Sequence, residues 1–238
     1  MVGESESGIY SLAYSLAMIM TLVNNALSST ISPWMYQKIK TRRVQDISRI
    51  SYIALFIIAT SNIILIAFAP EAVAIFAPHE YFDAIYCIPP VALSVFFMFC
   101  YDLFAKFEFY YEKTHYIMIA SIIGALANIG LNYVFIKMYG YVAAAYTTLF
   151  CYIFFDVMHY IFMRKVCKDY LDGVKVYNMQ VIVGMSIAFT ALGFAYLTTY
   201  KSIYVRYGLT VILVIFAVVK RQYIKDKVGE ILALRKKH

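Results

Sequence analysis

Asp102 and Lys106 stand four residues apart, Asp156 and His159 three apart, and Asn128 and Asn132 four apart, each pair inside a long apolar run. Asn24 and Asn25 lie in a further run of this kind. A spacing of three or four puts both members on one face of a helix, so each pair can act together. The chemistry on offer is recognition. An ammonium can meet an anionic group, amides can hydrogen-bond hydroxyls or water, and an imidazole beside a carboxylate can take up a proton near neutral pH. Each pair also has a plainer use. Asp102 and Lys106 can be a static ion pair. The asparagines can be interhelical bonds of about 0.6 kcal/mol each. Asp156 and His159 can be an interfacial hydrogen-bonded pair. Glu108 and Glu112, close to a span end, are expected to be solvated.

The elements that must position these groups are membrane spans. Of 238 residues, 63% are apolar and only 15% charged, with a mean hydropathy of +0.70. A soluble domain carries about 25% charged residues, so too little polar surface remains to cover a water-facing fold. A span needs roughly 20 mostly apolar residues. On that measure the chain is all-α and polytopic, with about seven spans: Gly8–Ser32, Ile50–Ala69, Ile88–Tyr111, Ile117–Ile136, Tyr141–Met163, Val181–Thr199 and Ile203–Val219. The last holds Arg206, expected to snorkel to the headgroups from its outer end.

Orientation follows from the basic residues. Seventeen Lys and Arg residues fall in alternate connections and the C-terminal tail, against three in the other connections, which makes the first set cytoplasmic. The N-terminus is then outside and the C-terminus inside. The external connection Pro70–Tyr86 carries Glu71, Glu80 and Asp83 but no Lys or Arg. Residues 1–219 form the bundle, and 220–238 a basic tail. Ile224, Val228, Ile231 and Leu232 give that tail an apolar face, suited to lying on the anionic inner leaflet, unless it is only a solvated basic segment.

The net charge of +7 is explained by this topology, and no nucleic acid is expected as a partner. Cys87, Cys100, Cys151 and Cys167 form no CxxC and have no His at ligand spacing, so neither a metal nor another cofactor is expected. The first span is unusually polar, holding Asn24, Asn25, Ser28, Ser29, Thr30 and Ser32. Such a helix must face other helices or a wet cavity. It is expected to pack against further helices that precede it in a complete protein.

Several stretches resemble the polysaccharide-biosynthesis flippases of the multidrug/oligosaccharidyl-lipid/polysaccharide exporter superfamily. Ser7-Gly-Ile-Tyr-Ser-Leu-Ala-Tyr14, then Ser32-Pro-Trp-Met-Tyr36, resemble that family's eighth span and the segment after it. Ala69-Pro-Glu-Ala-Val73 with Tyr81 and Pro89-Pro90 resembles the external loop and tenth span. Asn128-Ile-Gly-Leu-Asn132, followed by Lys137-Met-Tyr-Gly140, resembles the eleventh and twelfth. Val142-Ala-Ala-Ala145 stands where the family often has Gly-Ala-Ala. The resemblance covers roughly residues 7–165 and implies a C-terminal lobe lacking a partner lobe. It further implies transport of a lipid-linked oligosaccharide across the cytoplasmic membrane by alternating access, without covalent chemistry. Asn24, Asn25, Asp102, Lys106, Asn128 and Asn132 are then the substrate-binding candidates, and Asp156 and His159 the proton-coupling ones.

Two other classes stay open. A membrane-embedded acyl- or glycosyltransferase would need an acid/base set near a membrane face, for which Asp156 and His159 are the only candidates. A truncated remnant without transport activity would fit the unusual first span. A retinal protein or receptor is excluded, since Ile203–Val219 has no lysine and no NPxxY follows.

Overall fold

The computed structural model describes residues 3–235, apart from the side chains of Tyr223, Ile224 and Arg235. Lys236 and Lys237 of the basic tail, and the apolar contribution expected of Ile224, lie outside the described residues. The chain is a polytopic helical bundle. Its helices are α1 (Glu4–Met18), α2 (Met20–Lys40), α3 (Ile47–Ala67), α4 (Ala69–Phe76), α5 (Ile88–Tyr110), α6 (Thr114–Tyr139), α7 (Val142–Tyr170), α8 (Met179–Thr199), α9 (Ile203–Val219) and α10 (Arg221–Arg235). Short 3-10 helices at Val44–Asp46 and His79–Tyr86 complete the described elements.

Among the described residues six spans are long and apolar enough to cross a bilayer, with α1 and α2 forming one continuous element, Glu4–Lys40. The seventh expected span is a helix with the expected bounds, but its 17 residues fall below that length. At about 1.5 Å per residue it reaches roughly 25 Å, short of a 30 Å hydrocarbon core. The external connection is also more ordered than a loop: α4 and a 3-10 helix occupy most of it, with Pro70 in the first turn of α4, where its missing N–H costs no bond.

The hub is α5. Between Ile88 and Glu108 only Met98, Tyr101 and Asp102 escape full burial. It packs against α7, α3, α1, α2 and α8. Lipid is as apolar as leucine, so this association rests on close packing rather than water exclusion. Small residues permit it: Ala13 and Ala17 of α1 are fully buried, and Gly193 of α8 lies against Leu93. By contrast α6 is peripheral, burying only Ala120 and Gly124, both toward α7.

The ends placed on one side by the charge count are found together. Arg42 after α2 meets Asp172 after α7 at 3.0 Å, and Arg49 of α3 meets Glu230 of α10 at 2.7 Å. The backbone N–H of Asn178 donates to the Tyr52 hydroxyl at 2.7 Å. On the opposite side Glu71 of α4 pairs with Arg206 of α9, and the Tyr200 hydroxyl donates to the Ile66 carbonyl at 2.6 Å. Arg206 therefore does not snorkel. It is 4% exposed and turned inward, because a carboxylate from α4 is within reach. The tail is likewise not free: α10 buries Ile231 and Leu234 against the α2 and α3 ends.

Candidate functional site

Pro33 lies inside α2 and removes the N–H that would bond the Ser29 carbonyl. The turns before it carry hydroxyls and amides that compete for backbone groups, as in the Ser32 hydroxyl donating to the Ser28 carbonyl at 2.6 Å. On this helix Asn24 and Ser28, one turn apart, both face α5. The Asn24 amide donates to the Val95 carbonyl at 2.9 Å. Its Oδ1 is buried with no hydrogen-bond partner among the described residues.

One turn further in, Ser28 joins the ion pair of α5. Its hydroxyl donates to Asp102 Oδ2 at 2.8 Å and accepts from Lys106 Nζ at 2.8 Å, while Lys106 also pairs directly with Asp102. The three close a small ring across the α2–α5 interface. The Lys106 side chain is 3% exposed and that of Asp102 33%. The ammonium is thus held inside the protein, and the carboxylate is the part that opens outward. Asp102 lies eight residues from the inner end of α5, about 12 Å along the helix.

Asn25 and Ser29 lie beside this ring on the exposed face of the same helix. The exposed serines Ser7, Ser11 and Ser15 of α1 extend it into an interrupted polar stripe, broken by exposed Ile19 and Leu22. An exposed amide such as that of Asn25 has no satisfactory partner in hydrocarbon.

The other expected residues are placed elsewhere. Asn128 and Asn132 sit in the α6–α7 contact. Asn132 donates to Asn128 Oδ1 at 3.0 Å, Thr147 donates to Asn132, and Asn128 reaches Cys151 Sγ at 3.6 Å. Here both are half-buried, and none of these bonds reaches Asn24, Asn25, Asp102 or Lys106. Asp156 and His159 are on α7, but His159 does not pair with Asp156. Its Nδ1 lies 2.9 Å from Oε1 of Glu108, with side chains 4% and 0% exposed, and Tyr101 stacks on its ring. Glu108 is thus a buried partner, contrary to the expectation that it is solvated: α5 turns it toward α7, away from the headgroups. Asp156 Oδ1 is buried without a partner among the described residues.

Two members of these polar clusters were missed by the sequence reading, Ser28 and Glu108. Ser28 had a usable signal, since it follows Asn24 at i+4. Glu108 had none, because its distance from a helix end says nothing of the face it occupies.

The fold and this polar file define a multi-pass membrane protein with an ion pair at span depth. The MatE family profile matches residues 1–134, more than half of the chain. The chain therefore belongs to the MatE family, transporters of the same exporter superfamily that the sequence resembles. A protein described as "Uncharacterized membrane protein" from Haemophilus influenzae is 22% identical over 129 residues, which are 53% of this chain and 32% of that protein. The match thus spans about a third of the relative's length. No solved structure matches.

Proposed function

We propose that this chain forms one lobe of an exporter that moves a lipid-linked oligosaccharide across the cytoplasmic membrane by alternating access. Asp102 and Lys106 meet the charged head of the substrate, and Asn24 and Asn25 contribute amides for its sugars. The observation that carries this reading is the half-open ring of Ser28, Asp102 and Lys106. Its carboxylate is one-third exposed at a depth where a charge costs about 2.5–3.5 kcal/mol or more. A static pair has no need to be open on one side. An incoming pyrophosphate can compete with Asp102 for the Lys106 ammonium, and the freed carboxylate keeps the Ser28 hydroxyl as donor.

The exposed polar stripe of α1 and α2 supports a second lobe as the partner that completes a wet passage. The greater length of the Haemophilus protein is consistent with such a lobe. In this reading Asn128 and Asn132 line the passage only when the α6–α7 contact opens. Asp156 and His159, joined by Glu108, are the groups that take up protons during the cycle.

The test is flipping of a fluorescent oligosaccharide on a polyprenyl pyrophosphate, in proteoliposomes holding the full-length protein. Lys106→Ala and Asp102→Asn are each expected to lower the rate by about tenfold or more, a loss of roughly 1.4 kcal/mol. Unchanged flipping in both variants defeats the assigned roles. Export of a cationic dye with no flipping of the lipid defeats the substrate class.

A further inference from the structure

We infer that α9 and α10 form a detachable strap, anchored firmly at the outer side and latched loosely at the inner side, that ties the cytoplasmic ends of α2 and α3 together. The inference goes beyond the transport reading and does not require it.

The two halves of α9 differ. Its outer half faces the bundle with Arg206, Leu209, Thr210 and Leu213, and among its described residues Arg206 alone is buried. There the guanidinium pairs with Glu71, the Tyr207 hydroxyl donates to the same carboxylate at 2.8 Å, and Tyr196 meets Thr210 at 3.1 Å. From Val214 to Arg221 every residue is exposed, so the inner half stands clear of the bundle. The chain then turns at Lys220, and α10 returns to dock on α2 and α3.

That docking is slight. Among the described side chains it rests on Ile231 and Leu234, which are buried, and on Glu230, which meets Arg49 of α3 at 2.7 Å. The Arg49 side chain is 66% exposed, so water competes for it. Arg49, Ile50, Glu230, Ala233 and Leu234 also line an open groove of about 410 Å³ between the two helices. A firm outer anchor, a middle that faces lipid and an inner contact held by an exposed ion pair are the parts of a strap that opens at its inner end. Because α10 touches both α2 and α3, closing it fixes their inner ends together and opening it lets them part.

Thiol labelling of the full chain in inverted vesicles tests the latch, with a maleimide as probe and mass spectrometry to read the labelled position. The reporter is Ile231→Cys, and the reference is Leu232→Cys, at a site that is 58% exposed. The reporter is expected to label at least about tenfold more slowly than the reference. Arg49→Glu and Glu230→Arg should each raise reporter labelling by up to roughly fivefold, the scale of a partly exposed ion pair, with the reference unchanged. The double charge swap should restore slow labelling. Leu234→Cys provides a second reporter in case the first substitution itself undocks α10. Both reporters labelling as fast as the reference overturns the docking. Slow labelling that no charge reversal changes, or that the double swap fails to restore, overturns the latch.

Discussion

Ser28 of α2 accepts a hydrogen bond from Lys106 of α5 at 2.8 Å, so a neutral side chain holds in place an ion pair that belongs to another helix. Removing one partner of a fully buried pair costs about 3–5 kcal/mol. Asp102→Asn should cost less than that here, because Asp102 is 33% exposed and water can reach its site. Ser28→Ala removes two bonds of the ring, both to charged groups, and should cost about 1.5–3 kcal/mol. Replacing both charges, as in Asp102→Leu with Lys106→Met, should leave thermal stability in detergent nearly unchanged while abolishing flipping. Retained flipping in the double variant would reduce the ring to a packing device.

The Glu108–His159 pair should prove structural. His159→Ala strands a carboxylate that is 0% exposed and should cost about 3–5 kcal/mol. His159→Gln can still donate to Glu108 and should lose much less. Thermal unfolding of the purified variants gives the comparison. Equal losses for both would mean that the imidazole's packing against Tyr101, rather than its bond to Glu108, is what matters.

Much of this molecule is legible in the sequence, and the rest fails for a definable reason. Span positions emerge because a helix crossing hydrocarbon must be apolar for a set length. α9, the start of α5 and the end of α8 fall where hydropathy puts them, and other bounds shift by between one residue and about two turns. Azimuth is the quantity that hydropathy lacks. In a fully apolar helix such as α5, nothing in the pattern says that Lys106 faces α2 while Glu108, two residues on, faces α7. The Asn128–Asn132 spacing gave one helical face, yet whether that face met a cavity or α7 depended on a contact with Thr147 and Cys151. Arg206 was read as an interfacial cation because Glu71 lies 135 residues away in the chain.

Gly124 is the closest approach of α6 to α7. A Cβ added there would lie 2.2 Å from Phe155 Cζ. The ring cannot swing freely, because it also meets Tyr101 at 5.8 Å and His159 at 6.4 Å. Gly124→Ala should therefore destabilise the protein by about 1–3 kcal/mol, the usual cost of overpacking. Gly130→Ala on the same helix, where a Cβ meets nothing within 4 Å, should not. Detergent-melting temperatures of the two variants decide it.

Three inner helix ends close the same way, through a non-glycine residue in the left-handed region: Arg42 and Glu112 at φ 56° and Asp172 at φ 53°. At α5 the reversal is sealed by the Lys113 N–H donating to the Glu108 carbonyl at 2.8 Å. Arg42 and Asp172 bond each other, whereas Glu112 is exposed and its strain has no such offset. Glu112→Gly should raise stability by about 1 kcal/mol, since glycine adopts this conformation without a Cβ clash. The same change at Asp172 should gain less, because it also removes the contact to Arg42. A loss of stability in Glu112→Gly would show that its side chain has a role beyond the turn.

The inner latch carries a pH dependence of definite sign. Lys227 first, and then Arg49, hold the Glu230 carboxyl below the usual carboxylate range, against a desolvation effect that raises it. A group whose pKa is lower when docked contributes fully above its undocked value and loses that contribution as pH falls through the docked one; Lys227 lies on α10 with Glu230 in both states, so only the lowering by Arg49 counts toward the latch. The strap should therefore stay latched from neutral pH down to about pH 5 and open progressively below about pH 4. Glu230 is the carboxylate that bonds Arg49 in the latch, so the step belongs to it. Cleavage of the tail by an acid-active protease, followed as the pH is lowered, should accelerate through this window. In Glu230→Gln the latch is already weakened at neutral pH, and the same titration should be flat. A step of equal size in Glu230→Gln would assign the release to another carboxylate.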